Sequence, residues 1–295
     1  MMSRLKKRED LSFTIFNYSV LSIFLVLILY PIYYMFIASI SDPNAANQGL
    51  VIYKPVGITI AGYKKILSND NIWIGYRNSL FYATVGTCIN LLFMIPAAYA
   101  LSRKELPGRN LFMYMITFTM FFSGGMVPTY FVVKNLKMLD TPWALLLPGA
   151  IVAYYLIIAR SFFQSTIPEE LLEASFIDGA SYFTFFFKVV LPLSKPIIAV
   201  MVLFHAVGHW NAYFQALLYI TKEKLYPLQL VLRAILVESE AAAMTDDVTA
   251  MAEKQKLVDL IKYGVVIVAS VPVMILYPFV QKYFVQGVMI GAVKG

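Results

Sequence analysis

Between Asp10 and Asp42 the sequence carries no charged residue, and that run decides the environment in which the chain folds. About 20 consecutive apolar residues cross the hydrocarbon core of a bilayer as a helix, and residues 13–40 exceed that length. A secretory leader has an apolar core of only about 7–15 residues. The run therefore reads as an uncleaved first spanning helix behind a basic tail of Arg4, Lys6, Lys7 and Arg8. Five more apolar runs follow, at residues 76–101, 111–133, 143–161, 196–220 and 263–281. The expectation is an all-α, polytopic membrane protein with six transmembrane helices. Of 295 residues, 60% are hydrophobic and 14% charged, where a soluble domain holds about 25% charged. Six helices of about 22 residues occupy about 130 positions, which leaves loops but no room for a separate catalytic domain.

Orientation follows from the basic residues. Summed over all connections, Lys and Arg are nearly balanced between the two sides, so the N-terminal tail carries the positive-inside assignment. It places both termini in the cytoplasm. The turn Arg103-Lys104-Glu105-Leu106-Pro107-Gly108-Arg109 then falls inside, with Pro-Gly as chain reverser. Residues 41–75 and 221–260 fall outside, the latter acidic and suited to short surface helices. A net charge of +7 suits anionic headgroups. With no basic run longer than Lys6-Lys7-Arg8, nucleic acid is not an expected partner. Cys88 is the single cysteine, so no intrachain disulfide can form.

No Asp, Glu, Lys or Arg sits in the central part of any expected span, which argues against a proton relay or a voltage sensor. Arg77 lies at a helix end and can reach the interface. His205 and His209 are one helical turn apart on one face. They could begin a metal site, but no third ligand lies nearby, and two hydrogen-bonded histidines facing a bundle interior is the simpler reading. Nucleotide-binding, zinc-protease, nucleophile-elbow and C-x-x-C patterns are missing. Neither a cofactor nor a metal is expected on this chain, and any energy must come from another one.

The connection between the fourth and fifth runs is unusual. Thr166 with Glu169 offers a capping box, Pro168 falls in the first turn, and Glu169 and Glu170 put negative charge at a helix start. A helix over about 167–177 is expected, ended by a left-handed Gly179, with a second helix carrying residues 183–190 back toward the membrane. Four acids between 169 and 178 would each cost about 2.5–3.5 kcal/mol at mid-bilayer, so the segment stays outside. Yet Leu171, Leu172, Phe176, Ile177, Phe183, Phe185, Phe186 and Phe187 give it more apolar surface than a solvated loop exposes. Either it packs on the protein's own helix ends or it is presented to a groove on a partner.

Glu173-Ala174-Ser175, Gly179, Val189, Leu191 and Pro192 resemble the EAA loop of ABC importer permeases, whose signature is Glu-Ala-Ala, three residues, Gly, nine residues, then Ile-x-Leu-Pro. Ser175 and Val189 depart from it by small changes in bulk. Asn78-Ser79-Leu80, Ala98-Tyr99-Ala100-Leu101-Ser102-Arg103 and His209-Trp210-Asn211 look like the carbohydrate-uptake, maltose-G-like branch. Tyr226-Pro227-Leu228-Gln229 with Arg233, and Tyr277-Pro278-Phe279 through Gly287, look like its oligo- or polysaccharide subgroup. The resemblance implies a type I ABC importer permease fold with cytoplasmic N- and C-termini in a bacterial cell membrane. Residues 1–12 would be a tail, 13–40 the first helix and 41–75 an extracytoplasmic loop. Residues 76–284 would be the permease core, with a coupling loop at about 164–195 and an extracytoplasmic loop at 221–260, and 285–295 a second tail.

The family also implies partners: a second, related permease chain, two cytoplasmic ATPase subunits that use ATP and Mg, and an extracytoplasmic sugar-binding protein. Glu173, Ala174 and Ser175 would sit on the docking helix, with Asp178 and Gly179 at its turn and Leu191 and Pro192 closing the motif. His209, Trp210, Asn211 and Tyr213 are candidates for the substrate path, because sugars are held by hydrogen bonds and aromatic stacking. Trp and Tyr also gather at bilayer interfaces without any ligand. Ser123-Gly124-Gly125 and Pro128 interrupt the third run, as a hinge or as a span end. The alternatives are an importer of a non-sugar solute, an ion-coupled carrier and a membrane assembly protein.

Overall fold

The computed structural model describes residues 2–243, 255–256, 258–275, 278 and 281. The chain divides into two compact units, Met1–Asn69 with Ala234–Ser270, and Asp70–Arg233 with Val271–Gly295.

In the first unit, α1 (Met2–Ser39) is the long helix expected from the uncharged run. Most of its residues between Leu11 and Tyr33 are exposed, as suits a helix in lipid. Pro31 lies inside it. The short helices α2 (Pro43–Asn47) and α3 (Ala61–Leu67) follow. Asp42 caps α2 by accepting the Asn44 N–H at 2.8 Å. Ile37, Ala45, Ala46 and Val51 form a small core, and Asn47 Nδ2 donates to Asp259 Oδ2 at 2.8 Å. A Cβ on Gly62 would stand 2.9 Å from that of Leu260, so only glycine allows this approach.

The second unit opens with α4 (Asp70–Ser102), which starts six residues before the apolar run expected at 76. A left-handed Gly108 begins α5 (Arg109–Phe121), and α6 (Met126–Asn135) leaves it at 114°. The bend falls at the Ser123-Gly124-Gly125 interruption, where Gly125 has φ 84°. The fourth run is not one helix. Pro148 lacks an N–H, and Gly149 is left-handed at φ 76°. Together they separate the turn α7 (Trp143–Leu146) from α8 (Ala153–Thr166), a helix of 14 residues.

Helix α9 (Glu169–Ile177) comes next, then a continuous helical stretch, Tyr182–Leu193. The stretch is built of α10 (Tyr182–Phe185), a π-helical turn (Phe186–Val190) and α11 (Leu191–Leu193). Pro192 can neither donate to an i−4 carbonyl nor clear it, and the wider π register just before it accommodates the ring. A 77° bend at Ser194 then leads into α12 (Lys195–Trp210). The fifth run, expected to continue to 220, breaks after Trp210 and resumes as α13 (Phe214–Tyr219). Helix α14 (Leu228–Ala243) occupies the first part of the region read as an outer loop, and α15 (Val258–Ile275) is already helical five residues before the expected 263.

Among the described residues, three helices are long and apolar enough to cross a membrane: Leu11–Ser39, Asp70–Ser102 and Val258–Ile275. The pairs Arg109–Phe121 with Met126–Asn135, and Tyr182–Leu193 with Lys195–Trp210, pass as bent spans. Tail residues 285–295 and, apart from Gln281, the sequence from Phe279 to Gly287 lie outside the described residues.

Candidate functional site: an exposed helix on a buried core

The core of the second unit sits beneath α9. Met94, Ala98 and Leu101 of α4 meet Leu156, Ala159 and Phe163 of α8 and Ile197 and Met201 of α12. Leu172, Phe185 and Val190 from the unusual connection are buried in the same cluster. The apolar residues of that connection thus divide. Three anchor it to the protein's own helices, while Ile177 is 87% exposed and Phe183 78%. Leu171, Phe176, Tyr182 and Phe187 are exposed too, with Phe176 and Tyr182 in edge contact at 4.8 Å. Packing on the protein's own helix ends accounts for Leu172, Phe185 and Val190 and leaves the other apolar residues uncovered.

Glu173, Ala174, Asp178 and Gly179 are exposed on α9 and its turn. Ser175 is half-buried and returns its hydroxyl to the Leu172 carbonyl at 2.7 Å. Gly179 has φ 80°, and the Ala180 N–H closes the helix end onto the Ser175 carbonyl at 2.9 Å. Leu191 is half-buried and Pro192 exposed, at the π-to-α junction. The capping box does not form. Thr166 belongs to the end of α8, Pro168 is the N-cap of α9 instead of lying in its first turn, and no side-chain cap bond is made there.

Glu169 instead takes Lys104 of the Arg103–Arg109 turn at 2.8 Å. That hydrogen bond holds the Glu169 carboxyl below its ordinary range and the Lys104 ammonium above its own. Arg103 Nη2 donates to the Ile167 carbonyl at 3.0 Å and its guanidinium covers the Tyr99 ring at 4.9 Å. Arg160 Nε donates to Leu101 O at 2.9 Å, satisfying an end carbonyl of α4. The start of α9 is thereby tied to the ends of α4 and α8. Sequence reading had marked the basic turn only for orientation. The signal legible in the sequence is a basic turn and an acid-rich helix start both expected on the cytoplasmic side.

The residues proposed for a path do not converge. Trp210 is 3% exposed and packs on Tyr76 at 6.1 Å between ring centroids, so it offers no open face to a ligand in this conformation. His209 Nε2 bonds Asn90 Oδ1 at 2.7 Å, and Asn90 Nδ2 donates to the Ala150 carbonyl at 2.6 Å. His205 departs from the hydrogen-bonded pair that was expected. It is buried edge-on to Tyr155 at 5.1 Å, and its Nε2 has no hydrogen-bond partner among the described residues. Asn211 and Tyr213 are exposed, with Arg233 lying 5.8 Å from the Tyr213 ring.

The segment 221–228 is held from both ends. Asp140 accepts the Thr221 N–H at 2.5 Å, the Thr221 hydroxyl at 2.8 Å and the Lys222 N–H at 3.2 Å. These bonds, the backbone one first, hold its carboxyl below the ordinary carboxylate value. On α4, Asn78 Nδ2 donates to the Lys224 and Tyr226 carbonyls at 2.8 and 3.0 Å, and Tyr82 donates to Leu225 O at 2.8 Å. Ser79 Oγ accepts the Leu228 N–H at 2.8 Å. The Asn78-Ser79 pair noted in the sequence is therefore a backbone clamp.

A helical chain with an exposed EAA-type helix seated on a buried aromatic core matches one family over residues 72–290, the binding-protein-dependent transport system inner membrane component. The chain belongs to that family. As such an inner membrane component, it is 42% identical over 255 residues to the protein LplC of Bacillus subtilis, covering 86% of this chain and 85% of the relative. It is 39% identical over 284 residues to the polygalacturonan/rhamnogalacturonan transport system permease protein YtcP of the same organism, covering 96% and 98%. A solved structure, of a bacterial ABC transporter involved in the import of the acidic polysaccharide alginate, superposes with a TM-score of 0.81 at 35% identity. It covers 94% of this chain and 98% of that one. The inner membrane component has the type I ABC permease fold, all-helical and multi-pass.

Proposed function

We propose that this chain is a permease subunit of an ATP-driven, binding-protein-dependent importer in a bacterial cell membrane, and that its solute is a carbohydrate, most simply an oligosaccharide. The observation that carries the reading is the exposed α9 turn at Gly179 on a buried three-helix core, in a chain of this family. Relatives named for polygalacturonan, rhamnogalacturonan and alginate support the sugar assignment.

On this reading the chain crosses the membrane six times with both termini inside, the short α8 serving as the fourth crossing. Residues 1–12 and 285–295 are cytoplasmic tails, 41–75 and 221–260 lie outside, and 164–195 is the coupling loop within a permease core of 76–284. Glu173, Ala174, Ser175, Asp178 and Gly179 dock in a cytoplasmic ATPase, and Leu191 and Pro192 transmit its movement to α12. The ATP and Mg belong to two ATPase subunits; this chain performs no catalysis. A second permease chain completes the path, and a sugar-binding protein meets the clamped outer segment. For direct sugar contact Asn211 and Tyr213 are better placed than His209 or Trp210, which are engaged inside the bundle. Purification of the intact complex should bring down an ATPase, a second permease and a binding protein. Reconstituted uptake should require ATP, and uptake by this chain on an ion gradient without any ATPase would overturn the proposal.

A further inference from the structure

Helix α14 brings one cation to the break between α12 and α13. Its first residues are seated on α4: Leu228, Leu230, Val231 and Leu232 are buried, and Ser79 Oγ takes the Leu228 N–H at 2.8 Å. Gly75 of α4 lets the two helices close, since a Cβ there would stand 3.0 Å from the Leu228 Cα. Arg233 is the next residue along, and it is exposed. Its backbone is therefore held by the packing of the residues before it, while its side chain leaves the core.

The Arg233 guanidinium carbon lies 5.8 Å from the centre of the Tyr213 ring, within the range of a cation–π contact. That contact uses the ring face and spends none of the guanidinium N–H donors. Among the described residues the Arg233 side chain makes no ion pair and no hydrogen bond, so its fork stays open. Tyr213 is itself 42% exposed. Two residues earlier, Asn211 is exposed at the C-cap of α12. A cationic fork and an aromatic face thus stand together at this break, with a carboxamide on the same short segment.

We infer that Arg233 makes this a site for an acidic sugar, binding the carboxylate of a uronate residue while Tyr213 carries the sugar ring and Asn211 meets a hydroxyl. The inference rests on reading the chain as a permease for an oligosaccharide, and it names the class of that sugar. A planar carboxylate matches the guanidinium edge with two oxygens for two N–H groups. A phosphate brings about two charges and three acceptor oxygens, more than one arginine answers, and a neutral sugar leaves the cation unpaired. Ordering a long side chain is a cost of binding, and the docked start of α14 and the Tyr213 contact meet part of it before the ligand arrives. A purely structural cation–π contact would be served by Lys as well as by Arg. The carboxylate fork requires Arg.

The test uses the full chain purified with the permease and ATPase subunits it assembles with, without the binding protein, whose own selectivity would otherwise enter. The probes are trigalacturonate and its carboxyl-reduced form, a neutral trisaccharide of the same linkage, and calorimetric titration reads both affinities. Wild type should bind trigalacturonate about tenfold more tightly than the reduced form. Arg233→Gln should lose about tenfold in affinity for trigalacturonate and nothing for the reduced form, and Arg233→Lys should fall between wild type and Arg233→Gln. Equal affinity of wild type for the two probes, binding of neither, or unchanged affinity in Arg233→Gln overturns the proposal. Full affinity in Arg233→Lys, or displacement of trigalacturonate by an equal concentration of glucose 1-phosphate, would show that bare charge is read and would overturn it too. If Arg233→Gln fails to assemble, the comparison of wild type with Arg233→Lys decides. Absence of an ATPase from the purified complex would count against the importer reading, whereas lost discrimination with the ATPase present counts against the uronate assignment alone.

Discussion

Replacing Gly179 separates two ways in which a turn can matter to a docking helix. Its φ of 80° lies where a residue with a side chain pays about 1–2 kcal/mol. Nothing stands within 4 Å of a Cβ placed there, so inside this chain the cost is backbone strain alone. Asn tolerates the left-handed region through local hydrogen bonds, Ala less well, and β-branched Val least. Since each 1.4 kcal/mol is about tenfold in an equilibrium, Gly179→Val should lower the population of the native turn about tenfold while leaving the spans intact. In proteoliposomes holding the complete importer, ATP hydrolysed per solute taken up should rise in the order Asn, Ala, Val, with the chain still present in the membrane. Wild-type coupling in Gly179→Val would refute the docking reading. Equal impairment by Asn and Val would refute the backbone account and indicate that the ATPase presses directly on the bare Cα.

Four further outcomes follow from the geometry. Trp210→Ala should cost roughly 3–5 kcal/mol of stability, as for other buried Trp truncations, read as a fall in thermal midpoint; an unchanged midpoint with lost solute affinity would return Trp210 to the path. Asn90→Ala strips partners from His209 and from the Ala150 carbonyl and should cost about 1–3 kcal/mol for each group left unpaired, measured in the same way. Asp140 has a depressed pKa, so the hold of its carboxylate on 221–222 is complete above the ordinary value of 3.8 and is lost as pH falls through the lower folded-state value. Amide exchange at 221–222 should therefore accelerate only in strong acid, whereas Asp140→Asn, which keeps the backbone conformation, should show faster exchange at neutral pH. Lys104→Ala removes an exposed ion pair and should leave the thermal midpoint nearly unchanged, and a large drop would show that the pair contributes more than surface electrostatics allow.

The parts of the fold legible in the sequence are those governed by one local rule. The uncharged run gave α1, Pro107-Gly108 gave the turn before α5, and Gly179 declared its conformation. The misread parts are those where two rules compete. Thr166 and Glu169 have capping-box spacing, but α8 keeps Thr166 helical and Lys104 claims Glu169. Residues 143–161 are apolar enough to span, yet Pro148 and Gly149 inside them outweigh hydropathy. Trp210 looked like an interfacial or ligand-facing aromatic, and only packing against Tyr76 reveals it as bundle core. The clamp of Asn78, Ser79 and Tyr82 on residues 224–228 was out of reach for another reason. Its bonds join positions some 140 or more apart in sequence, which no periodicity records.

That clamp grips main-chain atoms: the carbonyls of Lys224, Leu225 and Tyr226 and the N–H of Leu228. None of these bonds depends on which side chain the gripped residue carries. The exposed side chains of Lys222, Glu223 and Lys224 are consequently free to drift in evolution, or to be exchanged by design, on a backbone whose course is dictated from α4. A surface arranged in this way can change its partner without having to find a new shape.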